Sequence, residues 1–101
     1  MQYGLKEETI LQIKSVFALF PKVKKVVLYG SRAIGTFKKG SDIDITLYGD
    51  NLDLTCLSKI EIAIDDLLLP YTFDVSIFKQ ISNPDLVDHI NQFGIEFYKV
   101  D

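Results

Sequence analysis

The sequence is short of several things, and each shortage excludes a class of protein. It has one cysteine, Cys56, so a disulfide scaffold and a thiolate zinc site within one chain are ruled out. On its helix Cys56 reads as a packed thiol. It has one histidine, His89, with no second His and no Cys near it, so a catalytic or metal role for it is not expected. The same residue is remote in sequence from Ser31, and no Ser-His-Asp triad can be argued. Cations are in deficit: eleven Lys and Arg against fourteen Asp and Glu give a net charge of −3. A dedicated nucleic-acid binder or a polymerase needs a basic groove, so direct nucleic-acid binding is not expected. No apolar run approaches the ~20 residues of a membrane span. Met1 to Ile10 carries Glu7 and Glu8 and lacks a signal-peptide core. There is no repeat, low-complexity tract or dividing linker. The expectation is a single cytoplasmic domain over residues 1–101, away from the membrane.

What is present reads as alternating helices and strands. Ile10, Ile13, Phe17 and Phe20 form one stripe and predict a helix from Leu5 to Phe20, stopped by Pro21. Lys24 to Tyr29 is rich in strand formers. Gly30 to Gly40 is a loop with room for one helical turn after Ser31. From Asp42 to Tyr48 the pattern alternates, with Ile43, Ile45 and Leu47 on one side and Asp42, Asp44, Thr46 and Tyr48 on the other. Leu54 to Leu69 predicts a second long helix with Leu54, Leu57, Ile60, Ile64, Leu67 and Leu68 on one face. Thr72 to Phe78 alternates again, setting Asp74 opposite Phe73, Val75 and Ile77. Asn83 caps a last helix that starts at Pro84 and ends at Gly94. Ile95 to Val100 predicts a final strand. The class is α/β, more closely α+β: a small mixed sheet with helices packed on one face. The other face carries acids and is expected to stay open.

The chemistry is concentrated between Gly30 and Asp74. Residues two apart in a strand project to the same side with Cα atoms ~6.5–7 Å apart. Alone, Asp42 and Asp44 read as a solvated strand face. Asp74, an acid in the middle of an otherwise apolar strand, changes that. Three converging carboxylates repel unless a cation sits among them, and hard divalent ions such as Mg²⁺ are bound by such groups together with substrate phosphates. Carboxylates at this spacing can share two ions. Gly30, directly after a strand, permits positive φ and close backbone approach. The loop amides and the Ser31 hydroxyl can then donate to phosphate oxygens, and Arg32 adds a planar cationic fork. Tyr29 and Tyr48 lie near this site, either to stack on a base or to pack.

Gly30-Ser31-Arg32-Ala33, Gly35, Ser41-Asp42-Ile43-Asp44-Ile45 and Phe73-Asp74-Val75 together resemble the DNA polymerase β-like nucleotidyltransferases. The chain looks most like their minimal nucleotidyltransferase (MNT) domains, and the resemblance covers nearly all of it. It implies a polymerase β palm-like core in which Asp42 and Asp44 hold two Mg²⁺ ions. Asp74 completes the site as base or ligand for the attacking hydroxyl. Gly30 and Ser31 hold the β- and γ-phosphates of a nucleoside triphosphate, ATP foremost. One position departs from the pattern. Where many relatives have a second basic residue after Gly-Ser-x-Ala, this chain has Ile34. Lys38 and Lys39 are in the same loop, either to compensate or simply solvated.

The resemblance also implies a partner, a HEPN-domain protein that acts as a toxin and is neutralised by an MNT antitoxin able to adenylylate it. Ile62, Leu69, Phe97 and Tyr98 are candidates for an apolar partner surface. Three functions compete: AMP transfer to a partner protein, a catalytically weak antitoxin acting by complex formation, and a small-molecule transferase of the antibiotic-modifying kind. The short chain weakens the third, because larger relatives use a further domain for the second substrate.

Overall fold

Side-chain alternation in four strands decides how the rest of the chain packs. The computed structural model describes residues 1–100, in the order α1 (Glu7–Ala18), β1 (Lys25–Tyr29), α2 (Ser31–Ile34), β2 (Ile43–Tyr48), α3 (Leu54–Asp65), β3 (Phe73–Ile77), a 3-10 turn (Phe78–Gln80), α4 (Pro84–Phe93) and β4 (Ile95–Lys99). The strands form one mixed sheet in the order β3-β2-β1-β4. β1 is antiparallel to both β2 and β4, and β3 is parallel to β2. That parallel pair needs a crossover, which α3 provides.

One face of the sheet holds the main core. Val26 and Leu28 of β1 and Ile43, Ile45 and Leu47 of β2 pack with Ile10, Ile13, Val16 and Phe17 of α1 and Ile60 and Ile64 of α3. Of the predicted stripes, Ile10, Ile13 and Phe17 of the first helix and Ile60 and Ile64 of the second are buried, with Phe20, Leu57 and Leu67 packed against them. The mixed α/β fold class is as expected.

The packing of helices on one face holds for α1 and α3, but α4 departs from it. Ile90 and Leu86 of α4 pack on Val27 and Tyr29, on the opposite side of the sheet. The reason lies in β1. Its run Val26-Val27-Leu28-Tyr29 is apolar on both faces and buried throughout, which requires cover on both sides. The acidic face is therefore covered over β1 and over Thr46 of β2, and is open at Asp42 and Asp74, with Asp44 partly buried between them.

Helix ends follow local chemistry. Asn83 accepts hydrogen bonds from the Asp85 and Leu86 amides, and Pro84 occupies the first turn, as predicted. Asp53 caps α3 through the Cys56 N–H. This helix stops at Asp65, short of the predicted Leu69. Leu68 turns left-handed (φ 55°) and is 87% exposed. Pro70 disfavours helix at the residue before it, and the chain turns ahead of it. Leu54, expected inside, is exposed, while Cys56 is partly buried as expected. Of the apolar surface candidates, Ile62 is exposed, but Phe97 is buried and Leu69 and Tyr98 pack against the core.

Candidate active site

Strand register brings two of the three expected acids side by side. Asp44 pairs with Tyr29 on β1 and with Asp74 on β3. Asp42 lies one residue ahead of β2, and its charge bears on Asp44. One step down the strands, Thr46 pairs with Val27 and Ser76. Thr46 is fully buried, and its Oγ1 accepts from the Ser76 hydroxyl at 2.9 Å. Thr46 Oγ1 in turn donates to the Ser76 carbonyl at 3.4 Å, so its hydroxyl is satisfied beneath the carboxylates.

The electrostatics follow from this crowding. Asp44 is held above the ordinary carboxylate value, first by burial and then by the negative charges of Asp74 and Asp42. The Arg32 charge opposes that shift. The Tyr29 phenol is also raised, chiefly by burial, while a hydrogen bond to Ser76 works against it. A cation among these oxygens would relieve the repulsion on Asp44. Among the described residues, no three acid, His or Cys side chains stand close enough to cage an ion by themselves. Hard oxygen donors on an open face suit Mg²⁺ that arrives with substrate phosphates and does not need an all-protein cage.

Gly30 is at the junction of β1 and α2 with φ 75° and ψ −157°, a conformation open essentially to glycine alone. A Cβ on Gly30 would run into the Asp44 carboxylate. The glycine is thus what lets the loop backbone lie against the acid. The Gly30 carbonyl accepts from Ala33 and Ile34, closing the single turn of α2, and Gly35 ends it left-handed (φ 87°). Ser31, partly exposed, begins that turn. Its first N–H groups have no preceding carbonyl within the helix to bind.

Arg32, expected as a cationic fork for phosphate, is turned inward. It is 3% exposed. Its Nε and Nη2 donate to the Ser41 carbonyl at 3.1 and 2.8 Å, and Nη1 donates to the Tyr3 carbonyl at 2.8 Å. The guanidinium lies over the rings of Phe37 and Tyr71. Three of its five N–H donors are bound to backbone carbonyls and the group is buried, so the fork is not presented to solvent. Arg32 instead fixes the peptide leading into Asp42. Lys38 and Lys39 are exposed and line a hollow with Phe37 and Tyr71. Ile34 is 47% exposed, so the departing position faces solvent. Tyr29 is buried under α4, and Tyr48 stacks on Phe78 at 4.6 Å, so both pack.

Sequence reasoning missed His89. Its Nε2 accepts the Gly30 N–H at 3.1 Å. A signal was there to find. Leu86, His89, Ile90 and Phe93 fall on one stripe of α4, so His89 had to face the sheet.

Over residues 11–101 the chain matches the family model for "Polymerase beta, Nucleotidyltransferase". The chain belongs to that nucleotidyltransferase family. Solved structures repeat the fold at low identity. A toxin–antitoxin crystallised with AMP-PNP superposes with a TM-score of 0.71 at 22% identity, over 96% of this chain and 76% of that one. The MntA–HepT toxin–antitoxin gives 0.68 at 18%, over 94% and 74%. The tri-AMPylated Shewanella oneidensis HEPN toxin in complex with MNT antitoxin gives 0.62 at 18%, over 91% and 73%. A search of curated proteins found no match. Among the described residues, no helix is long and apolar enough to cross a membrane.

Proposed function

We propose that this nucleotidyltransferase moves a nucleoside monophosphate, AMP foremost, from a Mg²⁺-bound triphosphate to a hydroxyl of a partner protein. The partner is a HEPN-domain toxin, the chain is its antitoxin, and both work in the cytoplasm. The observation that carries the reading is the register of Asp44 beside Asp74, with Gly30 against Asp44. The structural neighbours crystallised with AMP-PNP and with an AMPylated HEPN toxin support the nucleotide and the partner class.

In this reading Asp42, Asp44 and Asp74 would hold two Mg²⁺ ions, which would supply charge neutralisation for the triphosphate and for the attacking oxygen. Gly30 and Ser31 form the phosphate-binding turn, and Ser31 donates its hydroxyl to phosphate oxygen. Asp74, exposed at the sheet edge, takes the proton of the acceptor hydroxyl or orients it. The acceptor oxygen bonds to the α-phosphorus, the α–β bridging bond breaks, and pyrophosphate leaves with that electron pair. The work is mainly positioning, which a small rigid sheet can do.

A second reading has support of its own. Arg32 is turned inward and Ile34 is apolar, so the triphosphate loses two cations that would grip it. An antitoxin that only forms a complex would tolerate both losses.

Label transfer separates them. Purified protein, Mg²⁺ and α-labelled ATP are incubated with the protein encoded beside it, next to Asp42→Asn and Asp44→Asn. A labelled band that needs Mg²⁺ and both aspartates supports transfer to that protein. A stable complex without label supports neutralisation by binding. Neither label nor complex returns attention to small-molecule acceptors.

A further inference from the structure

The proposed chemistry leaves His89 without a task, although its imidazole reaches the backbone of the phosphate-binding turn. Gly30 N–H is a part-buried donor at the end of β1, and such donors need a partner. Its partner is no strand or helix carbonyl but Nε2 of His89, brought from α4. An imidazole nitrogen that accepts an N–H does so through its lone pair and carries no proton itself. The ring is held between the Tyr29 ring (6.2 Å, edge-on) and the Phe93 ring (5.3 Å). Ile90, the next residue, is buried on Val27 and Tyr29 and fixes the helix that carries it.

We infer that His89 is a positioning residue: through the Gly30 N–H it clamps the end of β1 to α4, and so holds the phosphate-binding turn against Asp44. The inference rests on the nucleotidyltransferase reading of the site. It has a direct consequence for how the turn is used. The Gly30 amide is engaged with α4, so Gly30 contributes its missing Cβ and its backbone shape, and phosphate contact falls to Ser31. It also explains why an apolar stripe on α4 tolerates an imidazole. Leu or Phe at position 89 would pack on Tyr29 equally well but would leave the Gly30 N–H without an acceptor.

The test is calorimetric binding of Mg²⁺-ATP to the wild type, His89→Leu and His89→Gln, with melting temperature measured for each. Gln keeps an acceptor oxygen near the place of Nε2. Loss of one positioned hydrogen bond is expected to weaken binding about tenfold in His89→Leu. His89→Gln is expected to stay within about threefold of the wild type, since its amide oxygen accepts an N–H. A purely structural role would lower affinity and melting temperature together in both variants, without rescue by Gln, and would overturn the inference. Equal or tighter binding in His89→Leu would also overturn it, because the imidazole would then be competing with phosphate for the Gly30 amide.

Nitrogen NMR of the nucleotide-free protein supplies the independent arm. Nε2 of His89 is expected at the shift of an unprotonated imidazole nitrogen, and the Gly30 amide is expected to exchange faster in His89→Leu. A proton on Nε2 would overturn the clamp, even if the Leu variant failed to fold. A wild type that binds no Mg²⁺-ATP, with the clamp intact by NMR, would overturn the nucleotidyltransferase reading and with it any role of the clamp in phosphate binding.

Discussion

The same strands present two unlike faces. Toward α1 and α3, Val26, Leu28, Ile43, Ile45 and Leu47 make a continuous apolar layer with no polar group to satisfy. On the other side, Tyr29, Asp44 and Asp74 stand in a row above Thr46 and Ser76; α4 covers β1, and Phe78 and Ile81 pack beside Tyr48 of β2. Stability is concentrated on one face and chemistry on the other, because strand side chains alternate and cannot mix the two. The difference teaches how so short a chain keeps a repulsive carboxylate cluster. The hydrophobic face holds the sheet whatever the acids do.

The comparison can be broken first from the apolar side. Leu47→Ala is expected to cost about 3 kcal/mol in denaturant unfolding, because it opens a cavity in a fully buried layer. A cost below about 1 kcal/mol would show that this layer does not carry the fold.

Gly30→Ala attacks the junction of the two faces. It forces a side chain into a glycine-only conformation and against Asp44, so a loss of about 2–3 kcal/mol is expected. Mg²⁺-ATP binding measured by calorimetry is expected to disappear with it.

Thr46→Val, on the chemical face, removes the hydroxyl that accepts from Ser76. About 1 kcal/mol of stability should go, with the carboxylates still in place.

Asp44→Asn carries the opposite sign. The folded carboxyl is raised above its unfolded value, so the folded state holds the proton more tightly between the two. Wild-type stability therefore falls as pH rises through that window and stays lower above it. The Asn variant is expected to be more stable at neutral pH, by less than about 1 kcal/mol because solvent screens a partly exposed group. The advantage should fade as the pH drops below the ordinary carboxylate value. Unfolding curves at several pH values check the sign, and nucleotide binding should be lost throughout.

The smallest effect sharpens the functional side. Ile34→Arg is expected to leave stability within about 0.5 kcal/mol, since the position faces solvent. It should tighten Mg²⁺-ATP by supplying a cation that Arg32 cannot. Unchanged affinity would show that the exposed position does not reach the triphosphate.

Much of this was legible in the residues, for reasons that differ by element. Alternation in β2 and β3 revealed which side chains share a face, because a period of two leaves one assignment. The cap at Asn83-Pro84 was readable because capping is local. The side of the sheet on which α4 lies was not read, although the unbroken apolar run of β1 signalled cover on both faces. The inward turn of Arg32 was not legible for a different reason. Its partners, the carbonyls of Tyr3 and Ser41, are backbone atoms, and no residue type announces them. His89 was set aside for want of a second His or Cys, whereas its partner is also backbone. Side chains that bind main-chain groups across the fold leave no spacing pattern to find.

The parallel pairing of β2 and β3 has a consequence in time. β1 and β2 are joined by a shorter connection than β2 and β3, and β3 reaches Asp44 only after α3 has crossed the sheet. Asp42 and Asp44 therefore emerge from synthesis well before Asp74 joins them. A half-made chain displays its most recognisable motif without the neighbour that completes it, so competence arrives late and in one step with the finished sheet.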